Sequence, residues 1–156
     1  MDHKISYVTG FLFDETLENV LLISKTMPVW QKGRLNGVGG KIEKNELARQ
    51  AMIREFKEET DLDFTQWKRF GVLSPLHGDI FLYVGKSTLS FITSFKQTTE
   101  ELPVVASVSK ILEPHNMNTV PNVKWLLPMA INSLIYGDNK TVYLVNPIDN
   151  LDVEKL

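Results

Sequence analysis

Three glutamates, Glu55, Glu58 and Glu59, are the residues of this chain whose types and spacing most clearly suggest chemistry. They lie in residues 46–60 (ELARQAMIREFKEET), which contain no Gly or Pro and are rich in strong helix formers. The sequence therefore predicts a helix of about four turns. With about 3.6 residues per turn, the three carboxylates share one helix face with small and apolar side chains, so we expect them to point towards a sheet.

An acidic helix face of this kind is unfavourable in a protein without ligands. Like charges three and four residues apart repel by about 0.2–0.5 kcal/mol per pair, and the helix dipole disfavours negative charge in the last turns. Hard divalent cations bind carboxylate and phosphate oxygens and would reverse that repulsion. We therefore expect Mg²⁺, with Mn²⁺ as a substitute, as the cofactor. The alternative is a solvated acidic face, which would place the carboxylates outward among the lysines.

A glycine-rich loop, GRLNGVGGKIEKNE at residues 33–46, precedes this helix. Glycines allow backbone amides to approach an anion closely or to adopt positive φ, and both are common where phosphates bind. No P-loop is present, because Leu35 and Ile42 stand where that motif requires glycine and a hydroxyl residue. Taken alone, the loop is equally consistent with a flexible turn, but the adjacent acids favour a site for metal and phosphate.

The remaining pattern indicates an α/β protein. Strands are predicted at 4–13, 19–26, 69–73, 79–85, 89–95, 104–112 and 141–145. A second helix is predicted at 122–136, capped by Asn122 and closed by Gly137, with Pro128 making it start late or kink. The tail at 151–156 is expected to be loose.

Composition limits the classes of function. The 156 residues are 43% hydrophobic and 23% charged, as in a globular protein, and we expect one domain over 1–156. A net charge of −2 gives no reason to expect a nucleic acid polymer as partner, so a small molecule is the better expectation. With no cysteine, no signal peptide and no run of about 18 apolar residues, the expected location is the cytoplasm, without membrane contact.

The stretch GKIEKNELARQAMIREFKEETDL, residues 40–62, resembles the Nudix hydrolase signature. It shows Gly40, five residues, Glu46, seven residues and then the run REFKEET. The one departure is Asp61, where the family has glycine just past the helix end, and we expect aspartate to tolerate the left-handed backbone often needed there. The resemblance implies an α/β/α sandwich with a mixed β-sheet between helices.

The resemblance also implies an activity, which is hydrolysis of a nucleoside diphosphate linked to a group X by attack of water on phosphorus. The metal ligands it implies are Gly40 through its carbonyl, Glu55, Glu58 and Glu59. Arg54 would orient them and form an ion pair with Glu58, four residues later. Glu46 would be a looser ligand, an electrostatic support or a plain glutamate at the start of the helix.

Other residues are implied by their places relative to this signature. In TTEELPVV, Glu101 is expected to act as a catalytic base and Glu100 to contact the substrate, although both could be solvated loop residues. Further substrate contacts are expected from Lys25, Asn36, Gly39 and Gly40. Trp30, Trp125 and Phe81 could stack on a base, but aromatic residues of a small domain more often lie in the core. His77 and His115 are expected in loops, without zinc.

The leading hypothesis is a Mg²⁺-dependent enzyme that converts an unmodified or oxidised (deoxy)nucleoside triphosphate to the monophosphate and pyrophosphate. The stretch GRLNGVGGKIE is similar to the branch of the family that acts on oxidised purines. Competing substrates are ADP-ribose, nucleotide sugars and dinucleoside polyphosphates, and the alternative of another class is a non-catalytic nucleotide-binding sensor. We expect a monomer or a homodimer, the latter if helix 122–136 exposes apolar residues.

Overall fold

The computed structural model describes residues 4–75, 78–116 and 118–137, and the backbone of residues 143–145. Its strands are β1 (Tyr7–Asp14), β2 (Asn19–Ser24), β3 (Leu35–Asn36), β4 (Val38–Lys41), β5 (Lys68–Leu73), β6 (Ile80–Ser87), β7 (Leu102–Ser107) and β8 (Tyr143–Val145). Its α-helices are α1 (Ala48–Thr60), α2 (Leu89–Thr93), α3 (Val108–Ile111) and α4 (Val123–Tyr136), and a 3₁₀ turn covers Val29–Gln31.

Strand β1 organises the sheet. Along one edge it pairs in parallel with the whole of β6. Along the other edge its first half pairs antiparallel with β4, and its second half pairs antiparallel with β2. The path through the sheet is β3-β2-β1-β6-β5-β8, and β7 adds to β2. Parallel and antiparallel pairs occur together, so the predicted mixed sheet is confirmed.

Each face of the sheet has its own apolar core. On one face, Ala51, Met52 and Phe56 of α1 pack on side chains such as Val8 and Leu12 of β1. On the other face, α4 packs on the remaining side chains of β1 and its neighbours, with Phe11, Phe13, Val20, Leu126, Leu127 and Ala130 all buried. Alternate residues of β1 therefore serve opposite cores. This arrangement is the predicted α/β/α sandwich.

Helix α1 begins at Ala48, two residues after the predicted start, and ends at Thr60 as predicted. Asp61 has φ 59° and ψ 18°, the left-handed conformation expected where the signature has glycine. Its backbone N–H donates to the Lys57 carbonyl at 2.9 Å, which closes the last turn of the helix. Aspartate therefore supplies the turn geometry that glycine would provide.

One strand prediction, 89–95, is wrong throughout, and another, 104–112, is wrong over its second half. Residues 89–95 contain the helix α2, because the Thr88 side chain accepts a capping hydrogen bond from the Phe91 N–H at 3.1 Å. That cap outweighs the β-branched composition that suggested a strand. The predicted strand 104–112 is β7 followed by α3, since pairing with β2 stops at Asn19 opposite Ser107.

Helix α4 confirms the predicted helix, with differences at its ends. It does not start late, and Pro128 lies inside it. Asn122 occupies the position before the helix but makes no capping bond, and Gly137 ends the helix with an ordinary negative φ of −71°. The carboxyl end is held instead by the Lys68 ammonium, which donates to the Ser133 carbonyl at 2.9 Å and the Gly137 carbonyl at 3.1 Å.

Strand β8 confirms the predicted edge strand at residues 143–145, where it pairs in parallel with β5. Residues 141, 142 and the tail at 151–156 lie outside the described residues. Within the described part of the chain, none of the helices has both the length and the apolar character that spanning a bilayer requires.

The aromatic residues divide differently from the sequence expectation. Trp67 is the buried tryptophan, with its ring centroid 5.2 Å from that of Phe56. Trp30 and Trp125 are 59% and 40% exposed, so they are not core residues. His115 is an exposed turn residue as expected, and His77 lies outside the described residues.

Candidate active site

A cleft of about 430 Å³ opens at the first half of β1, where this strand pairs with β4. Four of the predicted substrate-binding residues line it, namely Lys25, Asn36, Gly39 and Gly40. The Asn36 side-chain oxygen accepts a hydrogen bond from the Gly37 N–H at 2.8 Å. Its amide NH₂ has no partner among the described residues, so it is the group that Asn36 can offer to a ligand.

The glycines of β4 allow the chain to pack tightly against its neighbours. A Cβ on Gly39 would lie 1.9 Å from the Val8 carbonyl oxygen, and a Cβ on Gly40 would lie 2.4 Å from the carboxyl carbon of Glu55. The Gly39 N–H also donates to Glu59 Oε2 at 3.3 Å. The glycines were expected to let the backbone approach a phosphate closely, and here they let it approach the carboxylates of Glu55 and Glu59.

Glu59 is the most deeply buried acid of the site, with 9% of its surface exposed. Burial, followed by the negative charge of Glu101, raises the pKa of the Glu59 carboxyl to about 8. The charge of Glu55 acts in the same direction, while Lys25 and the Gly39 N–H oppose the shift. This carboxyl is poised between its two protonation states near neutral pH.

Glu101, the residue before β7, lies near Glu59. The register pairs Ser24 with Leu102, so the residues that follow β2 and precede β7 are also neighbours. Lys25 Nζ lies 2.8 Å from Glu101 Oε1. The second oxygen, Oε2, is buried and has no hydrogen-bond partner in the described part of the chain.

The segment before Glu101 is tied to the last turn of α1. The Lys96 N–H donates to the Thr60 carbonyl at 2.9 Å, and the Thr98 hydroxyl donates to the Glu58 carbonyl. Both contacts fall beside Glu59. The acid of the loop and the acid of the helix are therefore positioned by one connected piece of backbone.

Arg54 forms ion pairs with three acids, namely Glu46, Glu55 and Glu58. Its Nε and Nη2 bind the two oxygens of Glu46 at 2.8 and 2.9 Å, and its Nη1 lies 2.8 Å from Glu55 and 3.3 Å from Glu58. The Lys41 carbonyl accepts a further bond at 2.9 Å. The bonds from Arg54 lower the pKa of Glu46, whereas burial raises the pKa of Glu55 against the opposing effect of Arg54.

The structure brings most of the predicted residues together, with two exceptions. The expectation that all three acids of α1 point towards the sheet is wrong for Glu58, whose side chain is 53% exposed. Its i,i+4 position lets it pair with Arg54 at the rim, as predicted, without entering the core. Glu100 is exposed and makes no side-chain hydrogen bond or ion pair within the described residues, unlike its neighbour Glu101.

Two contacts of the site were not predicted. One is the two-point pairing of Arg54 with Glu46, for which the sequence offered only the fixed spacing of these residues. The other is the ion pair between Lys25 and Glu101. The apolar runs of β2 and β7 give no register when read separately, so the sequence carried no signal for this second contact.

The carboxylates of α1 and Glu101 are candidate ligands for the divalent cation that such an acidic face implies. In the ranges the structure describes, no three acidic or histidine side chains already form a group that could hold a metal ion. The chemistry of the groups fits a hard cation nevertheless, because carboxylates of α1 converge on β4 and Glu101 Oε2 is buried without a partner. The residues present therefore fit such an ion.

A mixed sheet between helices, with a glycine-rich strand packed against the carboxylates of one helix, is the architecture that the signature at residues 40–62 implies. The NUDIX domain profile matches residues 3–144. The chain belongs to the Nudix family, whose members generally use divalent metal ions and act on small molecules. The predicted family and the predicted enzyme class are both confirmed.

Solved structures resemble this fold at low sequence identity. The Nudix hydrolase from Nitrosomonas europaea is 17% identical, with a TM-score of 0.69 over 94% of this chain and 81% of that one. The MutT protein from Methanosarcina mazei Go1 is 18% identical, with a TM-score of 0.64 over 84% and 95% of the two chains. A Nudix-family hydrolase from Clostridium perfringens is 18% identical, with a TM-score of 0.65 over 85% and 99%. No curated protein sequence matches this chain significantly.

Proposed function

We propose that this protein hydrolyses a nucleoside triphosphate, unmodified or oxidised, to the nucleoside monophosphate and pyrophosphate, with Mg²⁺ as cofactor. One observation carries the proposal. The buried Glu59 lies at the glycine-rich strand β4, with the charges of Glu55 and Glu101 near it. Lys25 pairs with Glu101 and Arg54 pairs with Glu55, so the three carboxylates keep an excess of negative charge over these two cations. Such a concentration of negative charge is suited to a cation that also binds phosphate oxygens.

The proposed metal ligands are the carboxylates of α1 and the adjacent backbone carbonyl, namely Gly40, Glu55, Glu58 and Glu59. Mn²⁺ is the expected substitute. When bound, the cation neutralises charge on the phosphate oxygens and lowers the pKa of a bound water. Arg54 already carries positive charge between Glu55 and Glu58. It thereby keeps these two side chains close to each other and to the Lys41 backbone.

Glu101 is the proposed base. Lys25 holds Oε1, so the unpartnered Oε2 is the atom that can take a proton from the attacking water. The water oxygen forms the new bond to the α- or the β-phosphorus, and the P–O bond that bridges these two phosphates breaks. Pyrophosphate leaves with the electron pair if the α-phosphorus is attacked, and the nucleoside monophosphate leaves with it if the β-phosphorus is attacked. Lys25 is also placed to contact a phosphate oxygen of the substrate, because it lines the cleft.

Base recognition is assigned to the Asn36 wall of the cleft. With its oxygen already bonded to the Gly37 N–H, Asn36 offers a donor to an acceptor on the base. Gly39 and Gly40 bring the backbone close to the phosphates. Glu100 is exposed, so any contact it makes is expected at the outer part of a bound substrate.

The test is a panel of substrates with purified protein and Mg²⁺, with each product identified by chromatography and ³¹P NMR. The panel contains unmodified and oxidised (deoxy)nucleoside triphosphates, ADP-ribose, a nucleotide sugar and a dinucleoside polyphosphate. We expect monophosphate and pyrophosphate from a triphosphate, and no turnover when a chelator removes the metal. Preferential cleavage of ADP-ribose or another competitor would overturn the substrate class, and binding without cleavage of any compound would identify a sensor.

A matched control guards against contaminating phosphatases. Glu15→Gln replaces an exposed glutamate in the turn after β1, at the opposite end of that strand from the cleft. This variant should retain full activity when purified in the same way. Glu55→Gln should lose most of it, because it removes a proposed ligand while keeping the size of the side chain.

A further inference from the structure

A second pocket, of about 350 Å³, lies at the amino terminus of α1 and is separate from the cleft. Its lining residues are Leu47, Ala48, Arg49, Arg69 and Tyr83, none of which lines the cleft. No acidic side chain is among them. The pocket is therefore positively charged, in contrast to the group of carboxylates that the same helix packs against β4.

The first turn of α1 leaves backbone donors available in this pocket. Leu47 precedes the helix and has no polar side-chain atom with which to cap it. The Gln50 side chain turns back to accept a bond from the Leu47 N–H at 3.0 Å. Within the described residues, the N–H groups of Ala48, Arg49 and Gln50 have no hydrogen-bond partner. Three donors at a helix amino terminus attract an anion.

Two arginines add charge to those donors. The Arg49 guanidinium donates to the carbonyl oxygens of Trp67 and Thr65, which fixes it beside the helix end. The Arg69 guanidinium carbon lies 5.7 Å from the centre of the Phe81 ring. Across the described part of the chain, neither arginine forms an ion pair with a carboxylate, although Arg54 contacts three. Their charges are therefore available to a ligand.

Tyr83 provides an independent indication of a ligand. It is only 4% exposed and lines the pocket, and its hydroxyl, which is not sealed from solvent, has no hydrogen-bond partner among the described residues. Tyr83 stands directly opposite Arg69 in the pairing of β5 with β6, so both side chains lie on the same face of the sheet. Both arginines line the pocket together with Tyr83. Burial raises the pKa of the Tyr83 phenol, and the charges of Arg69 and Arg49 oppose that shift.

We propose that this pocket is an oxyanion-binding site for a phosphate group, distinct from the catalytic cleft. The ligand would accept hydrogen bonds from the first N–H groups of α1 and from the Tyr83 hydroxyl. Arg49 and Arg69 would neutralise its charge, with bond geometry that suits phosphate oxygens. Free inorganic phosphate, pyrophosphate and the phosphate of a nucleotide share this chemistry. The proposal does not depend on the reaction assigned to the cleft.

The experiment is a titration of the ¹⁵N-labelled protein with inorganic phosphate, followed by NMR. A chelator keeps divalent ions away from the cleft, and sodium chloride holds the ionic strength constant. We expect saturable shifts of the backbone amides of Ala48, Arg49 and Gln50. Separate titrations with pyrophosphate and with a nucleoside monophosphate show which source of the phosphate group binds most tightly.

Variants decide whether the pocket is responsible. Arg69→Gln removes an exposed charge and should weaken phosphate binding at least about tenfold, because charged hydrogen bonds contribute strongly. Tyr83→Phe should weaken it several-fold, and it decides the matter if Arg69→Gln does not give a well-dispersed spectrum. Lys110→Gln, which removes an exposed charge on α3, should bind as the wild type does. Shifts equal to those with chloride, or undiminished binding by a folded pocket variant, would overturn the proposal.

Discussion

Asp14 and Glu59 are both buried carboxylates, but they lie at opposite ends of β1 and in opposite environments. Asp14, 2% exposed, accepts hydrogen bonds from Asn19 N–H at 3.0 Å and Nδ2 at 2.9 Å, from the Thr16 hydroxyl at 2.8 Å, and from the Glu18 N–H at 3.1 Å. Burial raises its pKa, but these bonds outweigh burial and the pKa of Asp14 falls below its usual value. This acid fixes the turn between β1 and β2.

Among the residues that the structure describes, Glu59 accepts a hydrogen bond from one donor, the Gly39 N–H, and has neighbours of its own charge in Glu55 and Glu101. Its pKa rises instead of falling. Burial alone therefore does not decide whether the pKa of a carboxyl rises or falls. The number of donors that the fold supplies makes the difference, because an under-supplied carboxylate stays available for a proton or a cation.

The largest expected effect is the difference in kcat between variants of Glu59 and of Asp14. Glu59→Gln should lower kcat at least about 10³-fold, since it removes a proposed metal ligand and leaves the shape of the side chain. Asp14→Asn, at the far end of β1, should leave kcat within about threefold of the wild type. Steady-state pyrophosphate release with Mg²⁺ measures both. Near-normal turnover by Glu59→Gln would contradict the metal assignment.

A smaller difference is expected between the two adjacent acids before β7. Glu101→Gln should lower kcat by about 10²–10³-fold, within the range of a lost general base. Glu100→Gln should change it by less than about twofold, because Glu100 is exposed and makes no ion pair within the described residues. The pH dependence of kcat distinguishes a base from a structural residue, since only loss of the base should remove the acid limb. Equal losses in both variants would exclude Glu101 as the base.

For stability, Asp14 is expected to matter more than Glu59, the reverse of their expected effects on activity. Asp14→Asn should lower the free energy of unfolding by about 1–3 kcal/mol, because an amide NH₂ replaces an acceptor that two donors now share. Glu59→Gln should leave the metal-free protein as stable or more stable, since the amide does not ionise and the fold no longer has to shift the pKa of a buried carboxyl. Urea denaturation with a chelator present gives both values. A stabilised Asp14→Asn variant would mean that its bonds do not hold the turn.

The last expected effect is gradual, a slope of stability with pH in the metal-free protein. The pKa of Glu59 is raised from 4.5 to about 8 in the folded state, so between these values the folded protein keeps a proton that the unfolded chain has lost. Stability should therefore fall as pH rises through this window, by at most about 1.4 kcal/mol per unit. Asp14, with a lowered pKa, acts in the opposite sense and loses its contribution only as the solution becomes strongly acidic.

Thermal unfolding between pH 5 and pH 8.5 tests this slope. Glu59→Gln should make the profile flatter, whereas the exposed Glu15→Gln should leave it unchanged. An identical slope in the wild type and in Glu59→Gln would show that another group causes the dependence. A saturating concentration of Mg²⁺ should reduce the slope in the wild type, because a bound cation favours the ionised carboxylate.

Much of helix α1 could be predicted from sequence because its determinants are local. Helix propensity and a 3.6-residue period give its extent and the inward direction of Glu55 and Glu59. The left-handed backbone of Asp61 follows from its place after the last turn. The pairing of Arg54 with Glu58 follows from i,i+4 spacing.

What escaped prediction depends on contacts between distant parts of the chain. Lys25 and Glu101 meet only because β2 and β7 pair in one particular register. Glu58 points outward, where it pairs with Arg54 at the rim. A helical wheel gives the direction of the Cα–Cβ bond but does not show which partner the end of the side chain binds. The short helix α2 was missed because a single cap at Thr88 decided between two conformations that its β-branched residues allow.

The attachment of the segment 96–98 to the end of α1 also bears on how this region tolerates insertions and deletions. The contacts to the Thr60 and Glu58 carbonyls anchor the chain five and three residues before Glu101. Changes of length before Lys96 can be absorbed on the far side of that anchor. One added residue between Thr98 and Glu101 would instead displace the carboxylate from its neighbour, so loop grafting between relatives should keep this interval at its present length.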